Sequence, residues 1–231
     1  MRKSITKIIG DIVGAIDKTI KIDSFNQDAT TVTIYVCTFK WLKVGSVISD
    51  TLGNQATVTV IDSDFIVAEK IGTYTWTGKV LTINTTFHYI FGTRMSVNAE
   101  WLQLSSVEDN KLPLFCLVMP TRETNEGFQS GLDRESSIVL YVLNYCNWSQ
   151  TDQLIQDEVI YYLWLYVEAF LETIKLNQDF PPIESTNTRE LHRFGTESTE
   201  GFESEIFDSN LSAIELRFTL PIRKGAKICI C

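Results

Sequence analysis

The sequence predicts an α+β protein, a mixed or antiparallel sheet flanked by an N-terminal helix and a long helix, with an inserted small β-barrel-like module. Three observations predict it. Apolar residues recur at helical spacing over residues 4–21, at a spacing of two over residues 22–84, and almost without a break from Ile138 through Leu176. The predicted layout is a main domain of residues 1–21 and 85–222, the β module at 22–84, and a C-terminal tail at 223–231.

The first element carries Ile5, Ile8, Ile9, Ile12, Val13, Ile16 and Ile20 on one side. Lys3, Lys7, Asp11, Asp17, Lys18 and Lys21 lie on the other, the pattern of an amphipathic cover helix. Ser4 is placed to cap it. Gly10 and Gly14 each cost roughly 1 kcal/mol of helix propensity against Ala, but they let a neighbour approach closely. A membrane-surface helix is disfavoured by the weak basic face.

From Ile22 onward the period is two. Thr31–Cys37, Ser46–Ile48, Ala56–Ile61, Phe65–Ala68 and Lys79–Ile83 read as short strands. The turn signals between them are Asn26-Gln27-Asp28, Gly45, Gly53-Asn54, Asp62-Ser63-Asp64 and Gly78. Short, evenly spaced strands of this kind suit a small antiparallel barrel or meander. An oligonucleotide-binding barrel would need more basic charge than this segment holds, so a protein-contact or spacer module is the expectation.

Residues 86–110 are less regular, with Phe87–Phe91 followed by a short helix at Asn98–Leu104. Lys111–Pro120 reads as an apolar strand bounded by prolines, Thr121–Asp133 as a polar loop, and Ile138–Tyr145 as a strand covered on both faces. Thr151 and Asp152 cap a helix from Gln153 to Leu176, which the double proline Pro181-Pro182 closes off. Glu184–Ser209 is polar, with a strand near Leu191–Phe194 and an acidic loop. Leu211–Ile222 is the last strand.

The long helix is apolar nearly all round, so it needs a second partner besides its sheet, and with few other helices in the chain a second subunit is expected to supply it. Leu163 shares one face with Val159, Ile160, Val167 and Phe170. Tyr162, Tyr166 and Ala169 then turn toward a second face near Glu158 and Glu172. On the last strand, Ile214, Leu216, Phe218 and Leu220 alternate with Glu215, Arg217 and Thr219, leaving one face exposed or paired across an interface. Tyr162, Tyr166, Ala169, Glu215 and Arg217 are therefore the expected subunit-interface residues.

A net charge of −9 over 231 residues argues against a protein that grips nucleic acid. No segment is a clean membrane span, because Gln156, Asp157, Glu158 and Glu168 interrupt the closest one. Met1-Arg2-Lys3 imitates the start of a signal peptide, but Asp11 and Asp17 interrupt the apolar stretch behind it, so export is not expected. Five scattered cysteines form no framework, which suits reduced thiols. Cys229 and Cys231 have C-x-C spacing with no partner cluster. The two histidines, His88 and His192, stand apart from any Cys or carboxylate pair and read as structural. No phosphate loop, nucleophile elbow or metal motif occurs, so no catalytic, cofactor or metal residue is expected.

The order of elements resembles the tail-completion and tail-terminator (head-to-tail joining) proteins of tailed bacteriophages. The resemblance rests on the first helix, Leu112–Pro120, Arg134-Glu135-Ser136-Ser137 before Ile138–Tyr145, the long helix, and the ending Asn210–Ile222. It implies an α/β subunit of a homo-oligomeric ring in the virion neck or at the head-proximal end of the tail. Neighbouring neck, portal-adaptor or tail proteins would be its partners, and DNA would pass the channel without specific binding. Assembly would take place in the host cytoplasm. The module at 22–84 departs from the compact family pattern. The alternative reading is a small soluble enzyme or binding domain with an unrecognised site.

Overall fold

The computed structural model describes residues 4–93, 97, 100–101, 112–118, 122–124, 132–147, 149–177, 180–194 and 210–223. The chain divides into two compact units, Asp17–Thr86, and Met1–Ile16 with Phe87–Cys231.

The smaller unit is all β. Its strands are β1 (Thr19–Lys21), β2 (Ser24–Gln27), β3 (Thr31–Tyr35), β4 (Val47–Ser49), β5 (Gln55–Ile61), β6 (Phe65–Lys70) and β7 (Val80–Ile83), all antiparallel, in the order β1-β7-β4-β5-β6-β3-β2. β1 and β2 stand at opposite ends of that order, yet only Ile22 and Asp23 separate them. One bent run of chain therefore pairs with β7 and then with β3, and curls the sheet into a barrel-like shape. Alternating Val32, Ile34, Ile48, Ala56, Val58, Ile66, Ala68, Leu81 and Ile83 fill the inside, with Trp41 and Trp76 buried among the loops.

Two buried polar groups hold this unit's turns. Asp50 accepts hydrogen bonds from the backbone of Leu52, Asn54 and Thr77 and from the side chains of Asn54 and Thr77. Lys70 Nζ donates to Gln27 Oε1 and to the carbonyls of Asp28 and Tyr74. With their polar atoms satisfied inside the module, both are structural.

The larger unit opens with α1 (Ile5–Gly14), capped by Ser4, whose apolar face Ile5, Ile8, Ile9, Ile12 and Val13 is fully buried. The helix is shorter than the spacing suggests. It stops at Gly14, and Ile20 belongs to β1, because apolar residues of a buried strand happen to continue the helical count. Behind it lies a mixed sheet of β8 (His88–Gly92), β9 (Leu114–Val118), β11 (Leu132–Tyr145), β12 (Thr186–Phe194) and β13 (Leu211–Arg223). Its order is β12-β13-β11-β9-β8, with β10 (Arg122–Thr124) also paired to β11. Among the described residues, only β8 and β9 run parallel.

The long helix α2 is continuous through Asp152–Ile155, a π-helical turn Gln156–Ile160, and Tyr161–Leu176, with Thr151 as its N-cap. It lies on the face of the sheet formed by Phe115, Leu117, Ile138, Leu140, Val142, Ile214, Leu216 and Phe218. The rings of Phe115 and Phe218 stand 5.7 and 6.1 Å from that of Phe170. The opposite face is covered in part by Val97 and Trp101, which pack with Leu114, Cys116, Leu143, Leu211 and Ala213.

Several sequence expectations change here. The 121–133 loop contains β10 and the start of β11, and the last part of the 184–209 segment's strand grows to the nine residues of β12. Most of the expected helix at Asn98–Leu104 lies outside the described residues, as do the acidic run 195–209 and the tail with Cys229 and Cys231. No helix among the described residues is long and apolar enough to cross a membrane.

Candidate functional site

The second partner of α2 comes from its own chain. α1 packs against α2 and β8, and Phe87 inserts between Tyr166 and Phe115, with ring centroids 5.6 and 5.8 Å away in edge-to-face geometry. Tyr166, expected at a subunit interface, is only 4% exposed and packs in the core of its own chain. The reason is positional. Tyr166 sits three residues beyond Leu163, which on a 3.6-residue helix keeps it inside the same buried stripe. Burial also pushes its hydroxyl pKa well above the ordinary value, with Tyr162 adding to the shift.

What α2 leaves open is a narrower strip. Tyr161 and Leu154 are exposed, Tyr162 and Ala169 are half-buried, and the rings of Tyr161 and Tyr162 meet edge to face. Toward β12 the strip is fastened by polar contacts. Trp164 Nε1 donates to Glu190 Oε1 at 2.6 Å, and His192 Nε2 lies 2.9 Å from Gln156 Oε1. Gln156 stands at the start of the π turn, where the extra residue widens the helix. The carbonyl of His192 accepts a hydrogen bond from buried Ser212.

Glu215 and Arg217 lie elsewhere. Each alternates with a residue turned toward α2, so both project from the far side of the sheet, and with Tyr162 and Ala169 they do not make one patch. Nor is Glu215 an exposed partner for another chain. It is 6% exposed, and its carboxylate accepts from Tyr141 OH at 2.7 Å and Arg217 Nε at 2.6 Å. Burial by itself raises its pKa. The hydrogen bonds from Arg217 and Tyr141, with the charges of Arg217 and Arg189, outweigh that and hold it below the ordinary carboxylate value. Arg217, with a side chain 59% exposed, is the part of this cluster that reaches solvent. Arg189 and Asn187 stand beside Glu215 and Arg217 on β12.

A feature with no sequence signal is a hollow of about 580 Å³ at the C-terminal end of α2, walled by Leu171, Ile174, Phe180, Pro181, Pro182 and Ile183, with Lys175, Asn177 and Thr186 at its rim. A smaller hollow of about 250 Å³ shares Pro181 and Pro182 and is lined by Glu135, Glu184, Ser185, Thr219 and Pro221. The smaller hollow's walls come from segments far apart in sequence, whereas the larger one is walled by the single stretch 171–186.

Chemically, the far-side cluster is charged, the α2 strip amphipathic, and the larger hollow mostly apolar. Among the described residues no group of three or more His, Cys, Asp or Glu side chains could hold a metal ion. The buried thiol of Cys116 is pushed up to about 12 by burial, with Glu100 adding to the shift. Compared with protein-family models, with curated proteins and with solved structures, the chain matches none.

Proposed function

We propose that this chain is a structural virion protein of a tailed bacteriophage, a non-enzymatic subunit of a homo-oligomeric ring in the neck or at the head-proximal end of the tail. The ring joins head and tail components and leaves a channel for DNA. The observation that carries the reading is the placement of two chemically different surfaces on opposite sides of one sheet. The Tyr161–Tyr162–Ala169 strip lies on α2, and the exposed side chains of Arg189 and Arg217, beside buried Glu215, lie on the far face. A ring closes through heterologous contacts, in which one surface of a subunit meets a different surface of the next. A two-fold dimer needs a single self-complementary patch instead. The net charge of −9 suits a channel wall that must not hold DNA.

Native mass spectrometry and negative-stain imaging at high protein concentration test this. The expected result is a closed ring of one subunit type, or a ring formed on addition of a neck or tail partner. A strict monomer under both conditions would sink the proposal. The second reading, a small binding domain or enzyme, is favoured by one observation, the 580 Å³ apolar hollow, which has the size of a small-molecule site. A monomer that takes up a small apolar ligand there would establish it.

A further inference from the structure

We propose that a row of exposed residues on α2 of one copy, Tyr161, Glu168 and Lys175, docks on the row Arg189, Arg217 and Glu135 across the far face of the sheet of a second copy. Glu168 then meets Arg217, and Lys175 meets Glu135. The proposal rests on the ring reading above and names its joint.

Each row follows from the geometry of its element. Tyr161, Glu168 and Lys175 recur every seven residues in the regular part of α2, Tyr161–Leu176, and all three are exposed. A seven-residue step returns to nearly the same side of a helix, so they stand in line, the outer two about 21 Å apart. On the sheet, Arg189 lies opposite Glu215 and Glu135 opposite Pro221, with Arg217 between them on β13. Residues two apart on a strand share a face, and the step from position 215 to position 221 spans about 20 Å. This row crosses the neighbouring strands β12, β13 and β11. The two rows match in length.

Their charges also match in order. Along α2 the row is aromatic, acidic and basic; across the sheet it is basic, basic and acidic. Laid together, the ring of Tyr161 receives the guanidinium of Arg189, and two opposite-charge pairs follow. The reverse direction sets Lys175 against Arg189, so the charges select one orientation. Arg217 is fixed in direction beforehand, because its Nε donates to buried Glu215 while its side chain stays 59% exposed. Half-buried Val139, opposite Arg217 on β11, adds apolar ground to the contact. The rows lie on opposite sides of one subunit, so each copy meets two others, as a heterologous joint requires.

Charge reversal in the full-length chain tests the joint, read by sedimentation velocity at high protein concentration. Glu168→Arg and Arg217→Glu should each weaken self-association about tenfold or more, since like charges then face each other. An equal mixture of the two variants should associate again, because each reversed residue now meets its opposite in the other variant. Arg217→Glu sets a new carboxylate beside Glu215, so a second pair, Lys175→Glu and Glu135→Lys, is run in the same way, with circular dichroism as the check of folding. If the wild type associates but folded single variants associate equally well, or their mixtures stay apart, the joint is overturned and the ring must close elsewhere. A wild type that stays monomeric at this concentration also overturns the joint. The ring reading falls with it only if added neck or tail partners fail to assemble the chain.

Discussion

The ring of Tyr89 lies flat against Gly10, and its hydroxyl donates to the carbonyl of Thr6 one turn earlier at 2.8 Å. A Cβ at position 10 would stand 2.9 Å from Cδ1 of that ring. The ring is tethered by the hydroxyl and stacked on Phe91, so a shift would disturb both contacts. Gly10→Ala should therefore destabilise the chain by about 1–3 kcal/mol, despite Ala being the better helix former. Gly14→Ala meets nothing within 4 Å and should be neutral or stabilising by up to roughly 1 kcal/mol. Urea denaturation of the pair decides it, and equal shifts would count against the packing account.

Tyr166 and Tyr161 should separate folding from assembly. Tyr166→Ala removes the partner of Phe87 and is expected to cost about 3–5 kcal/mol of stability, and Leu163→Ala about 2–5 kcal/mol. Tyr161→Ser with Tyr162→Ser should leave the melting curve nearly unchanged and weaken self-association. Thermal melts and sedimentation velocity on the same samples give both readouts.

The Glu215 cluster makes a signed pH prediction. Its folded pKa is depressed, so its contribution is present above the ordinary value of 4.5 and is lost as pH falls below it through the folded pKa. Arg217→Ala leaves a nearly buried carboxylate with Tyr141 and the more distant charge of Arg189. The acid limb of unfolding should then move to higher pH, followed by tryptophan fluorescence. An unmoved acid limb would show that Arg217 does not hold that charge.

In the small barrel, Asp28 accepts from the backbone of Thr31 and Thr30 and from both hydroxyls. These bonds, Thr31 first, lower its pKa from 3.8 to about 2. Its contribution should persist above pH 3.8 and disappear as pH falls toward 2. Carboxyl-resolved NMR titration should place its midpoint near that lower value, and Thr31→Val should raise it.

Thiol chemistry offers a further check. Cys37 is exposed, and its Sγ donates to Asp23 at 3.0 Å. That bond and the carboxylate's charge raise the thiol's pKa. Native labelling by a maleimide should reach Cys37 before buried Cys116 and Cys146, and Asp23→Asn should speed it. Labelling of Cys116 at the rate of Cys37 would contradict the burial described.

Much of this fold is legible from the sequence where apolar residues keep a strict period. β3, β5, β6, β7, β11 and β13 all alternate, and α1 and α2 show their stripes. The failures have local causes. Ile16 and Ile20 prolong the helical count past Gly14 and conceal β1. Thr186–Glu190 is polar at every position because an edge strand exposed on both sides needs no alternation, so β12 reads as loop. Tyr166 illustrates a limit of composition, since an aromatic with a polar tip suits a core as well as an interface. Glu215 illustrates another. A carboxylate is expected at the surface unless its partners are known, and Tyr141 lies 74 positions away. The hollow at the end of α2 is walled by the single stretch 171–186, but its concavity comes from the way the chain turns after the helix, which no apolar period announces.

The chain enters the barrel through β1 and leaves it through β7, and these two strands are antiparallel neighbours, Thr19 opposite Thr82, with Ile83 N–H donating to the carbonyl of Lys18 at 2.9 Å. A mechanical load carried along the chain would reach this module at two adjacent ends of one short ladder. It would peel that ladder open one hydrogen bond at a time instead of shearing all of them at once. The β1–β7 seam is then where the module yields first under tension. Its opening would release stored chain length and leave the Asp50 and Lys70 anchors of the remaining turns to fail later.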